Sequence, residues 1–99
     1  MKKNKITTTL WDSSEYLETT EDMASYLETA FEDGDPALIS AVLGDIARAK
    51  GMAEIAEKTG LSRNSLYKSL SPEGHPEFAT VLKVINALDL QLQATATKV

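Results

Sequence analysis

The spacing of apolar residues divides most of this chain into short amphipathic helices. Met23, Tyr26, Leu27, Ala30 and Phe31 fall at i, i+3, i+4, i+7 and i+8, the stripe of a helix that buries one face. Thr20 is the expected N-cap, and Glu21 and Asp22 behind it suit the positive end of the helix dipole. The helix is expected to run to about Glu32, where Asp33-Gly34-Asp35-Pro36 stops it. The same four residues open the next helix, because Asp35 can cap it and Pro36 suits the first helical position. From Pro36 to about Lys50, Leu38, Ile39, Val42, Leu43, Ile46 and Ala47 make the apolar face, and Arg48, Lys50 and Gly51 form a C-terminal stop.

Two shorter helices follow, Met52 to Thr59 and Ser62 to about Leu70, separated by Gly60 and Leu61. Residues 71–76 hold two prolines and a glycine and read as a loop. A last helix from about Glu77 presents Phe78, Val81, Leu82, Ile85 and Leu88 on one face. Residues 90–97 alternate apolar and polar with period two, which predicts a strand. Near the other end, residues 12–17 read as a short exposed helical turn, with Trp11, Tyr16 and Leu17 free to pack on a later element.

Ninety-nine residues, 42% of them apolar, suit one core. The expected organisation is an acidic N-terminal extension over 1–34, carrying one amphipathic helix, joined to a compact unit over 35–99. There is no cysteine, hence no disulfide framework and no thiolate metal site, and a cytoplasmic location is the default. The opening Met1-Lys2-Lys3-Asn4-Lys5 looks like the start of a signal peptide, but Thr7, Thr8, Thr9 and Asp12 interrupt any apolar run behind it. No segment approaches the roughly 20 apolar residues that span a bilayer, so no membrane role is expected.

The net charge of −5 argues at first against a nucleic-acid partner. Its distribution changes the picture. Residues 6–47 contain ten acids and no Lys or Arg, whereas residues 48–99 carry seven bases against five acids. The two halves are therefore expected to face different partners, the acidic one suiting a basic protein or simply keeping the surface solvated.

Between residues 52 and 70 each special position has a steric reason. Ala56 is small where the second short helix crosses the first, Gly60 permits positive φ in a very short turn, and Ser62 can cap the second helix. Ile55, Leu61 and Leu66 point into a shared core. This is a helix-turn-helix pattern, and it leaves Ser62, Arg63, Asn64, Ser65, Tyr67 and Lys68 at the solvent-facing start of its second helix. Arg63 has the geometry to read guanine and Asn64 adenine, while Ser62, Ser65, Tyr67 and Lys68 suit phosphates. Operator DNA is the implied ligand, read by a two-fold homodimer, since such readers commonly use paired half-sites. A lone terminal strand also needs a neighbour: residues 6–10, the same strand of a second subunit, or a partner's sheet edge.

Catalysis is not expected. The single histidine, His75, stands between Gly74 and Pro76 with no second histidine and no cysteine, so neither a metal nor another cofactor is implied.

The helix order from Pro36 to Leu88 resembles the phage repressor and Cro-type DNA-binding domain, with Met52 standing where that superfamily often places a glutamine. A closer resemblance runs through Glu-Tyr-Leu at 15–17, Glu-Asp-Gly-Asp-Pro at 32–36, Gly-Asp-Ile-Ala-Arg-Ala at 44–49, Gly-Leu-Ser-Arg at 60–63, Leu-Tyr-Lys at 66–68, Leu-Ser-Pro-Glu-Gly at 70–74 and Phe-Ala-Thr-Val-Leu-Lys-Val at 78–84. Together these look like the HigA-like addiction-module antidote family. The fold so implied is mainly α, a lambda-repressor-like helix-turn-helix domain of about five helices with an N-terminal helical extension and a short C-terminal strand. The implied function is that of an antitoxin, which binds a HigB or RelE-like ribonuclease toxin and represses their shared operon as a dimer. Trp11, Glu15, Tyr16, Glu18 and Asp22 are the toxin-binding candidates, with Phe31 as a further apolar anchor or a core residue. Two rivals stay open: a stand-alone transcriptional regulator with no toxin partner, and an interaction protein that has lost DNA binding.

Overall fold

The structure is a computed structural model in which residues 17–97 are described. Five helices occur among them: α1 Thr20–Asp33, α2 Pro36–Lys50, α3 Met52–Thr59, α4 Arg63–Ser69 and α5 Phe78–Ala87. The expected turn over residues 12–17 lies almost wholly outside the described residues, as does the proposed strand neighbour over residues 6–10.

The start of α1 lies one residue earlier in its capping than expected. Thr19, not Thr20, is the N-cap: its hydroxyl accepts from the Asp22 amide at 3.0 Å while the Asp22 carboxylate accepts from the Thr19 amide at 3.1 Å. This reciprocal pair satisfies two amides that the first turn cannot serve. Met23, Leu27 and Ala30 form the buried stripe, Tyr26 flanks it half-buried, and Phe31 at its other edge keeps 38% of its surface exposed. At the far end the Gly34 amide donates to the Ala30 carbonyl, and Asp35 caps α2 by accepting from the Ala37 amide at 3.1 Å.

The centre of the fold is α2. Val42, Leu43, Gly44, Asp45, Ile46 and Ala47 are buried in succession, so this stretch is enclosed all round rather than on one face. Each of the other four helices packs against α2. Leu17 and the α1 stripe belong to the same buried cluster as Ile55, Leu66, Leu70, Val84, Ile85 and Leu88.

Two expectations about the C-terminal part are corrected. On α5 the buried residues are Val84, Ile85 and Ala87, continued by Leu88, with Val81 half-buried; Phe78 and Leu82 are 68% and 41% exposed. At 100° per residue the buried face is turned by roughly 60° from the expected stripe, which leaves Phe78 and Leu82 at its outer edge; periodicity shows that a helix has an apolar side, and the neighbours it packs on fix where that side is centred. The second correction is the strand: no strand occurs among the described residues, and residues 90–97 run without one. The alternation is real, yet a strand exists only when a neighbour completes its hydrogen bonds, and no described segment does so. What ends α5 is a left-handed Asp89, φ 64°, with the Asp89 amide donating to Asn86 and the Leu90 amide to Ile85, both at 3.1 Å. This is the bonding of a Schellman stop, with aspartate where glycine is usual. The Asp89 carboxylate lies 3.6 Å from the Lys50 ammonium, tying the end of α5 to the end of α2.

Candidate nucleic-acid interface

The α3–α4 pair is held by local chemistry at its turn. Gly60 closes α3 in the left-handed region, φ 78°, and its amide donates to the Ala56 carbonyl at 2.9 Å. Thr59 was not singled out by sequence reasoning, yet its hydroxyl donates to the Ile55 carbonyl at 2.8 Å and accepts from the Leu61 amide at 3.2 Å, bracing the turn from within. A hydroxyl residue beside a turn glycine is the signal that would have marked it. The chain then extends through Ser62, whose side chain accepts from the Ser65 amide at 3.0 Å and so caps α4. Ile55 and Leu66 are fully buried, while Ala56 and Leu61 are partly buried against the same cluster. Met52 is buried as well, which gives it a place in the core rather than at the surface.

Only Leu66, and Leu70 just beyond the helix, anchor α4 deeply. At about 100° per residue, Asn64 and Lys68 stand on the opposite side, flanked by Tyr67 and Ser65, while Arg63, one turn before Leu66, lies nearer the anchored side and is exposed because it opens the helix. All five are exposed, as is Ser62. None of the ion pairs among the described residues involves Arg63 or Lys68. On α3, by contrast, Lys58 is held 3.1 Å from Glu54, and that hydrogen bond raises its pKa. The exposed ridge of α4, with Ser62 and Arg63 at its open start, thus offers two cations that join no ion pair among the described residues, an amide, two hydroxyls and a phenol.

The height of that ridge is set by Gly44. A Cβ placed on Gly44 falls well inside contact distance of the Leu70 carbonyl oxygen, so the end of α4 rests directly on the backbone of α2. Sequence reasoning gave Gly44 no structural role; its signal was a glycine in mid-helix, where it costs roughly 0.5–1 kcal/mol relative to alanine and so implies a close approach.

Beside it, Asp45 is 4% exposed and joins α2 to α1. Its carboxylate accepts from the Tyr26 hydroxyl at 2.9 Å and from the Arg48 guanidinium. Burial pushes the Asp45 carboxyl above the usual aspartate range, against the opposing pull of the Tyr26 hydrogen bond and the Arg48 charge. Of the toxin-binding candidates, Glu18 and Asp22 are exposed at the head of α1, with Asp22 engaged in the cap. Trp11, Glu15 and Tyr16 lie outside the described residues.

Residues 7–96 match the sequence profile of the family described as probable addiction module antidote protein. The chain belongs to that family. The match spans all five helices, so a protein of the antidote family here carries both the acidic α1 and the α3–α4 ridge within its shared length. An uncharacterized protein of Haemophilus influenzae (strain Rd KW20) is 44% identical over 88 residues, covering 89% of this antidote protein and 91% of its own length. No solved structure matches the chain. Among the described residues no helix is long and apolar enough to cross a membrane, and no group of three or more His, Cys, Asp or Glu is placed to hold a metal ion.

Proposed function

We propose that this antidote protein is an antitoxin of the HigA-like kind: it neutralises a HigB or RelE-like ribonuclease toxin by direct binding, and as a homodimer it represses their operon from the cytoplasm. DNA is read by a phage-repressor-like helix-turn-helix made of α3 and α4. The observation that carries this reading is the exposed α4 ridge, where Arg63, Asn64, Tyr67 and Lys68 stand clear of every ion pair among the described residues, on a helix anchored from beneath by Leu66 and Leu70. In the major groove Arg63 would donate to guanine and Asn64 would pair with adenine, with Ser62, Ser65, Tyr67 and Lys68 on phosphates. Two cations per ridge neutralise few phosphates, which makes paired ridges on one operator the arrangement that yields useful affinity. The toxin site is the acidic head of the chain, Glu18 and Asp22 with Trp11, Glu15 and Tyr16, facing a protein made basic by its work on RNA.

Binding of the chain to its own upstream promoter fragment, measured at several salt concentrations, tests the repressor half. Affinity is expected to fall steeply with salt, and Arg63→Ala to cost roughly 1–3 kcal/mol at the cognate site. An equal loss on random DNA reassigns Arg63 to the phosphate backbone, and no binding at low salt refutes the repressor reading. For the other half, Glu18→Lys is expected to weaken rescue of cells expressing the toxin without altering the melting temperature. Promoter binding without any rescue of toxin-expressing cells identifies a stand-alone regulator instead.

A further inference from the structure

Residues 90–97 and α1 together line a groove of about 750 Å³. Its apolar lining includes Leu27 and Phe31 of α1, Ile85 of α5 and Leu92 of the segment, and Phe31 and Leu92 keep 38% and 37% of their surface exposed. From α1 come also Glu28 and Glu32, both exposed and in no ion pair among the described residues. No backbone hydrogen bond joins residues 91–97 to another described residue. The groove therefore suits an occupant with three properties: apolar side chains for its lining, positive charge for the two carboxylates, and an extended backbone to pair with residues 91–97.

We infer that the occupant is this chain's own residues 2–10, which lie outside the described residues. Lys2, Lys3 and Lys5 are the only cations before Arg48. Ile6, Thr7, Thr8 and Thr9 behind them are all β-branched, the kind that favours a strand, and Ile6 and Leu10 supply apolar side chains. A second copy of residues 90–97 brings no cation to Glu28 and Glu32, whereas residues 2–10 bring three together with a strand-forming backbone.

Reach and order agree with this assignment. Leu17, the first described residue, is buried just before α1. Glu28 and Glu32 stand about 12 and 18 Å along the helix from Thr20, at about 1.5 Å per residue. Residues 11–16 can span up to roughly 20 Å at about 3.3–3.6 Å each, so residue 10 reaches the groove and the residues before it continue along α1. The lysines, furthest from Leu17 in sequence, then arrive at the end of the groove that holds Glu28 and Glu32, while Ile6 and Leu10 fall nearer Ala24 and Leu27. A short tether also gives the segment an effective concentration in roughly the millimolar range, against which any external basic protein must compete. The inference does not depend on the proposed function. For that reading it means that Trp11, Glu15 and Tyr16 fall in a bridge tethered at both ends, leading directly into Glu18 and Asp22.

The chain has no cysteine, so introduced thiols report the pairing in the full-length protein. Thr8→Cys is combined in turn with Gln91→Cys, Leu92→Cys, Gln93→Cys, Ala94→Cys and Thr95→Cys, which covers every register that keeps residues 6–10 beside residues 90–97, and each double variant is oxidised mildly. Directly opposed Cβ atoms lie about 4.5–5.5 Å apart and diagonal ones about 7–8 Å, against the roughly 3.5–4.5 Å of a disulfide. The yield is therefore expected to peak at one partner and to fall on either side of it. The product is expected to keep the mass of a single chain under denaturing conditions and to form at a rate independent of protein concentration. Reversing the three lysines together, Lys2→Glu, Lys3→Glu and Lys5→Glu, is expected to lower that rate by roughly two- to fivefold, and adding Glu28→Lys with Glu32→Lys to restore it. In the unsubstituted chain, hydrogen exchange is expected to be slowed at alternate amides of residues 91–97, the pattern of a strand paired along one edge. Uniformly fast exchange there overturns the inference, as does a cross-link yield that is equal or absent at all five positions. A cross-linked product of twice the mass overturns it in favour of a second chain in the groove. A rate indifferent to both charge reversals overturns it by removing the match between the lysines and the two carboxylates.

Discussion

Replacing Gly44 by alanine sets two effects of opposite sign against each other at one atom. Alanine is the better helix former, and in an exposed helix interior the exchange stabilises by roughly 0.8–1 kcal/mol. Here the added methyl meets the Leu70 carbonyl oxygen, a backbone atom at the end of α4 that cannot rotate away. Carbon-to-oxygen contacts settle near roughly 3.3–3.6 Å, which requires Leu70 to retreat by roughly 1 Å. Overpacking of that kind costs about 1–3 kcal/mol, and a rigid obstacle places the cost toward the upper end. The net expectation is a destabilisation of about 1–2 kcal/mol, which for a chain of this size lowers Tm by roughly 4–8 °C per kcal/mol. Urea and thermal melts followed by helical circular dichroism measure it. A gain in stability would show that α4 is not seated on the α2 backbone, and the account of how the ridge is positioned would fall with it. Promoter binding adds a second reading under conditions where the variant is fully folded, because a displaced Leu70 tilts α4 and is expected to weaken binding beyond any loss of folded protein.

Tyr26→Phe removes one hydrogen bond to the buried Asp45 carboxylate, and the melt is expected to show a loss of about 1.5–3 kcal/mol, the range for bonds to charged groups; a loss below a few tenths would mean that α1 is held by its apolar stripe alone. Asp45→Asn tests the raised carboxyl. A carboxyl whose folded pKa lies above its unfolded value contributes stability that is fully present below the unfolded pKa and is lost as pH rises through the folded one. The wild type is therefore expected to gain on the Asp45→Asn variant as pH falls from neutrality toward the ordinary aspartate value, and a difference constant over that window would show an unshifted carboxyl. Asp89→Gly relieves the left-handed strain at the end of α5 while giving up an exposed ion pair with Lys50. A net gain of about 0.5–1 kcal/mol is expected, and a loss would mean that the ion pair outweighs the backbone term.

What the sequence determined by itself is whatever its backbone settles within about four residues. The Asp35-Pro36 start, the Gly34, Gly51 and Gly60 stops and the Ser62 cap all occur where local signals place them, because an unpaired amide or carbonyl at a helix end is satisfied by its immediate neighbours. The stripe of Met23, Leu27 and Ala30 was equally legible, since a helix brings every third and fourth residue to one face. Tertiary structure decided the rest. That Asp45 meets Tyr26, nineteen residues away, that Gly44 makes room for the end of α4, and that Phe78 and Leu82 stay exposed while Val84 is buried are contacts between separate segments. The same reason governs residues 90–97, whose alternation announces a strand that only a neighbouring backbone can complete.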